Sequence, residues 1–261
     1  MKKKYYIAKK SLGQNFLIDK NMILKIIKHI DPKDNEKIVE VGPGQGALTD
    51  YLLQSGGKLI LVELDSNLAK LLSDKYSNSK NIKVVEGNIL KIDWNEFLPI
   101  DKIVGNLPYN ISSQIIIKMF QHHDKINSAI ITIQKEFAER LVSAPKSKKY
   151  GILSVYSQLY CDAKILFKIP NQVFRPIPKV ESAVIEMKFH KNLKYEIDNL
   201  EFFHKIIRTA FNQRRKQLKN SLGVFYSKDL KDKFDWKLRA EAIDLKGYYY
   251  LYKLFKNGEN K

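Results

Sequence analysis

The sequence predicts an α/β fold: a doubly wound, mostly parallel sheet, followed by a small all-helical domain. Three observations lead there. Short apolar runs alternate with helical stretches through roughly the first half of the chain. A glycine-rich turn follows the first run, and an acidic residue ends the second, 21 residues beyond Gly42. After about Lys191 the strand signal stops and helical periodicity takes over, so residues 1–190 and 191–261 are expected to be separate domains.

Taken in order, the polar lead-in Lys9–Asp19 precedes a segment, Asn21–Ile30, that sets Ile23, Ile26, Ile27 and Ile30 on one helical face. Asp31-Pro32 ends that helix. Gln14–Leu17, taken alone, reads as a cap ahead of it. The strand Lys37–Val41 runs into Gly42-Pro43-Gly44-Gln45-Gly46, and helical pattern resumes from Ala47 to Leu53. Strand, glycine turn and helix let backbone approach a nucleotide-like ligand. The G-x-G-x-G spacing and the lack of a P-loop Lys-Ser/Thr argue against phosphate cradling.

The second strand, Lys58–Val62, ends in Glu63-Leu64-Asp65. Glu63 is the better candidate to accept two ribose hydroxyls, and Asp65 is the rival, equally suited to cap a helix from Ser66. The third strand, Asn81–Val85, leads to Asn88, a polar residue able to face the ligand. The fourth, Lys102–Gly105, delivers Asn106-Leu107-Pro108-Tyr109 to its carboxyl end, where open α/β sheets bind ligands. These groups suit a flat heterocycle bearing an exocyclic amine. The Asn106 oxygen can accept one amine hydrogen, a backbone carbonyl near Pro108 the other, and Tyr109 can stack on the ring. Alone, the tetrapeptide also fits a plain turn with a surface tyrosine. Ser112 or Ser113 then caps a helix bearing Ile115, Ile116, Met119 and Phe120.

A fifth strand, Ala129–Ile133, and a helix, Lys135–Val142, complete the alternation. A helix from Ile152 to Tyr160 follows. Two more strands, about 163–169 and 182–189, flank the proline-rich Val173–Lys179 with no helix between, so they are expected to pair as an antiparallel hairpin. Helices are expected over 202–212 and 216–222, within 229–242, and over 247–255.

At 261 residues, 44% hydrophobic and 11% aromatic, the chain has ample material for a core, which excludes a disordered protein. No apolar run is long enough to span a bilayer, and basic Met1–Tyr6 lacks the apolar segment of a signal peptide. The single Cys161 excludes internal disulfides and suits a reducing cytoplasm. Five histidines, scattered apart from His122-His123, offer no metal-ligand spacing, so no metal is expected. A net charge of +18 points to nucleic acid. Lysine is common throughout, however, so clustering is the better sign. Arg208, Arg214, Arg215, Lys216 and Lys219 lie in one stretch with Phe211 interleaved and no acid among them. That suits phosphate binding, and a solvated helix face is the plainer alternative.

Together these motifs resemble one family over nearly the whole chain: the small-subunit ribosomal RNA adenine dimethyltransferases, KsgA or RsmA. The resemblance is carried by Leu12–Leu17, Glu40–Gly46, Val62–Asp65, Gly105–Ser112, Gln134–Glu136, Tyr150-Gly151, Phe174–Val180, Ala210–Lys216 and Arg239–Glu241, in that order. It implies a class I S-adenosylmethionine-dependent methyltransferase fold: a Rossmann-like, mostly parallel seven-stranded sheet with an antiparallel hairpin, plus a small all-helical C-terminal domain that binds RNA. It also implies S-adenosylmethionine as methyl donor. The acceptors it implies are the exocyclic amines of two adjacent adenosines near the 3′ end of 16S rRNA. Asn15, Leu17, Gly42, Gly44, Glu63, Asn88 and Asn106 would line the donor site, with Asn106–Tyr109 catalytic and Phe174 helping to hold the extruded base. One departure is Asn88, where the family usually has Asp; either side chain offers an oxygen to the donor's adenine amine. A cytoplasmic monomer is the default expectation. The erythromycin-resistance type of large-subunit methyltransferase and an idle ribosome-assembly factor are the rival readings.

Overall fold

The computed structural model describes residues 6, 8–9 and 12–259. The basic opening 1–5 and Lys10-Ser11 of the lead-in lie outside them. The chain divides into two compact units, Met1–Ala138 with Lys164–Lys191, and Glu139–Ala163 with Asn192–Lys261. The expected domain boundary near residue 190 thus meets a more interwoven chain, because 139–163 groups with the second unit.

The strands are β1 (Phe16–Leu17), β2 (Lys37–Val41), β3 (Lys58–Glu63), β4 (Ile82–Glu86), β5 (Ile100–Asn106), β6 (Ile126–Gln134), β7 (Cys161–Ile169), β8 (Phe174–Arg175) and β9 (Ser182–Phe189). Seven form one sheet in the order β4-β3-β2-β5-β6-β9-β7. The pairs β2/β3, β3/β4, β2/β5 and β5/β6 are parallel, and β9 runs antiparallel to β6. Strand order therefore reverses between β2 and β5. The chain leaves β2 towards one edge and returns on its other side, which opens a crevice at the carboxyl ends of these two strands.

Helix α1 (Lys20–Ile30) begins where the Asp19 carboxylate accepts the Met22 N–H at 2.7 Å. It ends at Asp31, whose left-handed backbone donates to the Ile27 carbonyl. Its buried face, Ile23, Ile26 and Ile30, belongs to one core with Leu17, Ile38, Phe174 and Val184. Each such aliphatic side chain contributes about 1.5–3 kcal/mol by leaving water. Helices α2 (Thr49–Leu52) and α3 (Ser66–Lys75) follow β2 and β3, and α4 (Ser112–Gln121) and α5 (Lys135–Leu141) follow β5 and β6. Contrary to expectation, neither serine caps α4. Ile111 holds the cap position, and the Ser112 hydroxyl donates to the Pro108 carbonyl at 2.8 Å.

The sequence gives no sign of a second, two-stranded sheet, in which Phe16 pairs with Arg175 and Leu17 with Phe174. It fastens the lead-in to the proline-rich connection. Two residues per strand are too few for a periodic signal.

The second unit is built on α6 (Ile152–Tyr160), α7 (Leu200–Asn212), α8 (Leu218–Ser221) and α9 (Leu245–Glu259). Expected helix over 216–222 starts only at Leu218, because the preceding backbone is extended: Gln217 bridges Arg239, and Leu218 N–H donates to the Leu238 carbonyl. Within 229–242 only single turns form, at Lys228–Leu230 and Ala240–Ala242. Trp236 folds that stretch back as a loop, with Nε1 donating to the Leu230 carbonyl at 2.8 Å. No helix among the described residues is long and apolar enough to cross a membrane.

Candidate active site

A cavity of about 330 Å³ lies at the reversal point between β2 and β5, within the range of small-molecule sites. Its wall includes Asn15, Leu17, Gly42, Gly44, Glu63, Asn88 and Asn106–Tyr109, so four separate strand ends and the lead-in converge there.

Gly42 (φ +65°) turns the chain out of β2 in a conformation that disfavours side chains. A Cβ there would meet nothing nearer than the Asn106 carbonyl at 4.0 Å, so the backbone borders open space. Glu63, at the end of β3, is 5% exposed and accepts the N–H of Gly44 and of Asp65, each at 3.0 Å. Burial raises its pKa, and those two donors oppose the shift. A carboxylate oriented this way keeps lone pairs for hydroxyls arriving from the cavity.

Asp65 is the cap of α3, accepting the Asn67 N–H at 3.1 Å. It does more than the sequence suggests. Tyr6 Oη, Lys9 Nζ and Gln14 Nε2 also donate to it, tying the lead-in to the tip of β3. Burial alone would push its carboxyl up, but these donors outweigh that and hold it at about 2.

Asn106 is the best-defined group in the site. Its Nδ2 donates to the Asn15 carbonyl at 2.7 Å, which fixes the amide's orientation. Its Oδ1 is buried and has no hydrogen-bond partner. An orphaned buried acceptor costs about 1–3 kcal/mol, so it marks a place where a donor belongs. The Pro108 carbonyl is a poorer acceptor than expected, because the Ile111 N–H (3.2 Å) and the Ser112 hydroxyl (2.8 Å) already occupy it. Leu107, the next residue along, also lines the cavity. Leu107 itself is held by its N–H to the Thr132 carbonyl at 3.0 Å. Tyr109 hydrogen-bonds Ser182 Oγ at 2.6 Å, which fixes the ring's tilt, and burial raises its pKa.

Asn88 also differs from expectation. Its Oδ1 accepts the Leu90 N–H at 2.9 Å, which leaves the Nδ2 donor for the cavity. Phe174 is not brought to the cavity. It is fully buried in the core opposite Leu17, because the two-stranded sheet turns it inward. The basic stretch is also redistributed. Arg214 donates to Glu241 Oε2 at 2.6 Å and to the Lys148 carbonyl at 2.7 Å, so an acid 27 residues away ties it down. Arg208, Arg215, Lys216 and Lys219 remain exposed.

Glu40 was not singled out by sequence, although an acid inside the apolar run Lys37–Val41 was the available signal. It is 2% exposed, borders the cavity and accepts the Thr49 hydroxyl at 2.6 Å. Burial raises its pKa from 4.5 to about 7; the Thr49 bond opposes this and the Glu63 charge adds to it. An unfolded chain releases this proton near its ordinary value, whereas the folded one keeps it to about 7. Stability from this group is therefore full below the ordinary value and declines until the folded pKa is passed. Glu40→Gln should remove that decline. Thermal unfolding at pH 5 and pH 8 should show the variant gaining on wild type by a few degrees at the higher pH; an equal offset at both would refute the assignment.

Comparison with known proteins agrees with this geometry. The family model for ribosomal RNA adenine dimethylases matches residues 6–255. The ribosomal RNA small subunit methyltransferase A of Buchnera aphidicola is 42% identical over 264 residues, covering 97% of this chain and 96% of its own. That of Chlorobium chlorochromatii is 40% identical over 253 residues, covering 95% and 94%. Among solved structures, a dimethyladenosine transferase from Plasmodium falciparum shares the fold with a TM-score of 0.83 at 23% identity, covering 94% of this chain and 98% of its own. The 23S rRNA methyltransferase ErmE does so with a TM-score of 0.71 at 24%, covering 92% and 99%. With an orphaned amide oxygen at the head of Asn-Leu-Pro-Tyr and matches along almost its full length, the chain belongs to the ribosomal RNA adenine dimethylase family.

Proposed function

We propose that this protein dimethylates the exocyclic amines of two adjacent adenosines near the 3′ end of 16S rRNA in the small ribosomal subunit, with S-adenosylmethionine as methyl donor. The observation that carries the reading is the unpartnered, buried Asn106 oxygen, held open by the bond from its own Nδ2 to Asn15.

The residues of the cavity fit that donor. Glu63 would take the ribose hydroxyls, Asn88 and Ile89 the adenine, and the Gly42 turn with Asn15 and Leu17 the remainder. The donor supplies an electrophilic methyl carbon on a sulfonium. The protein supplies alignment. Adenine's amine is a weak nucleophile because its lone pair is drawn into the ring. Hydrogen bonds from its two N–H groups to Asn106 Oδ1 and a backbone carbonyl of the same turn favour a pyramidal nitrogen with the lone pair free. Tyr109, fixed by Ser182, stacks on the extruded base. Positioning of this kind is worth up to roughly 7–11 kcal/mol. The methylated nitrogen is acidic enough to lose its proton to water, so no side-chain base is called for.

The first unit would then carry donor and target base, and the exposed Arg208, Arg215, Lys216 and Lys219 of the second would contact RNA phosphates. The protein would work as a monomer in the cytoplasm.

Because the Asn88 oxygen is engaged by Leu90, a carboxylate there would add an acceptor for the donor's adenine amine. Asn88→Asp should tighten S-adenosylmethionine about tenfold in calorimetry. Weaker binding would refute this account of the position. The function itself is tested by labelled methyl transfer to unmodified subunits, with the nucleoside identified by mass. Dimethyladenosine in small subunits is expected; label confined to large subunits would favour the erythromycin-resistance type, and none in either an assembly factor.

A further inference from the structure

The loop that brings Asn88 and Ile89 to the cavity is folded tightly on itself. Lys91 and Ile92 both donate their N–H to the Asn88 carbonyl, at 2.8 and 3.0 Å. The carbonyls of Ile89, Leu90 and Ile92 are left facing one point, and a single ammonium fills it. Lys118 Nζ donates to them at 3.2, 3.0 and 2.8 Å. Trp94 closes the cluster: its Nε1 donates to the Ile89 carbonyl at 2.9 Å, and its ring centre lies 5.4 Å from the ammonium. His122 stacks on that ring.

All three donors of Lys118 are thus used, and none by a carboxylate. Desolvation lowers its pKa, with the Asp93 charge opposing. A helix-surface lysine ordinarily reaches for water, so an ammonium committed to three carbonyls of one loop needs a reason. Its position supplies one. Lys118 lies on α4, whose first residue, Ser112, is bonded to the Pro108 carbonyl of the amine-holding turn. One helix is therefore fastened at its start to Asn106–Tyr109 and, through Lys118, to the Asn88 loop.

We propose that Lys118 is a positioning residue that holds the Asn88–Ile89 wall against α4 in the shape that binds the donor's nucleoside end. This rests on the donor placement proposed above.

The test compares Lys118→Met, which keeps the stem and removes the donors, with wild type in the full chain. Calorimetry gives Kd for S-adenosylmethionine and for S-adenosylhomocysteine, and steady-state kinetics gives kcat at saturating donor. Both Kd values should weaken roughly five- to tenfold while saturated kcat changes by less than about twofold. Lys118→Arg should not restore affinity, because a planar guanidinium cannot converge on three carbonyls. Asn88→Ala is the second arm and should also weaken binding, with the double variant less than additive because both act through one loop. If Asn88→Ala leaves Kd unchanged, the donor placement itself fails. If Asn88→Ala weakens binding and Lys118→Met does not, or if Lys118→Met only lowers Tm, Lys118 is structural and the proposal is overturned. Should Lys118→Met not fold, Lys118→Gln is judged by the same criteria.

Discussion

Asn106→Ala should lower kcat by about 10²–10³-fold, the usual effect of removing one preorganised hydrogen-bonding group from a reacting centre. Donor affinity should change much less, because Glu63 and the Asn88 loop remain. The side chain has two jobs that the variants can separate. Its Oδ1 awaits a donor, and its Nδ2 pins the Asn15 carbonyl of the lead-in. Asn106→Asp keeps an acceptor but sets a carboxylate against that carbonyl, so it should disturb the lead-in as well as turnover. Single-turnover kinetics with saturating donor isolates the chemical step. Near wild-type rates for Asn106→Ala would remove the amide from the mechanism.

The second large effect is on stability. Gly105, just before Asn106, has φ +146° and lies against β2, where a Cβ would collide with the Val41 carbonyl oxygen and sit 3.2 Å from the Val41 carbon and nitrogen. Neither strand can yield, because β2 and β5 are paired in the middle of the sheet. Gly105→Ala should cost about 3 kcal/mol or more, from backbone strain and steric overlap together. For a protein of this size that lowers Tm by roughly 6–12 °C. Gly151→Ala is the control: nothing lies within 4 Å of its Cβ position, and the cost should stay below about 1 kcal/mol. Equal losses in the two variants would mean that close approach of β2 and β5 is not what demands glycine.

The sheet was legible because buried parallel strands read as continuous apolar runs, such as Leu59–Val62 and Ala129–Ile133. The same logic located Gly42, Glu63, Asn88 and Asn106, since strand ends are where side chains can reach a ligand. What sequence could not supply was set by distant partners. The direction of the Asn106 amide depends on a carbonyl 91 residues away, and Arg214 is occupied by Glu241. Phe174, in a proline-rich stretch, looks available for a base, yet pairing with Leu17 turns it into the core. Lys118 reads as one more lysine on a helix until three carbonyls are seen around it.

A crystal soaked with S-adenosylmethionine tests the central claim most directly. The ribose hydroxyls should lie within hydrogen-bonding distance of Glu63, with the methyl group opening towards the Asn106 oxygen. A donor bound away from the Gly42 turn, or an Asn106 oxygen bonded back into the protein, would contradict the account.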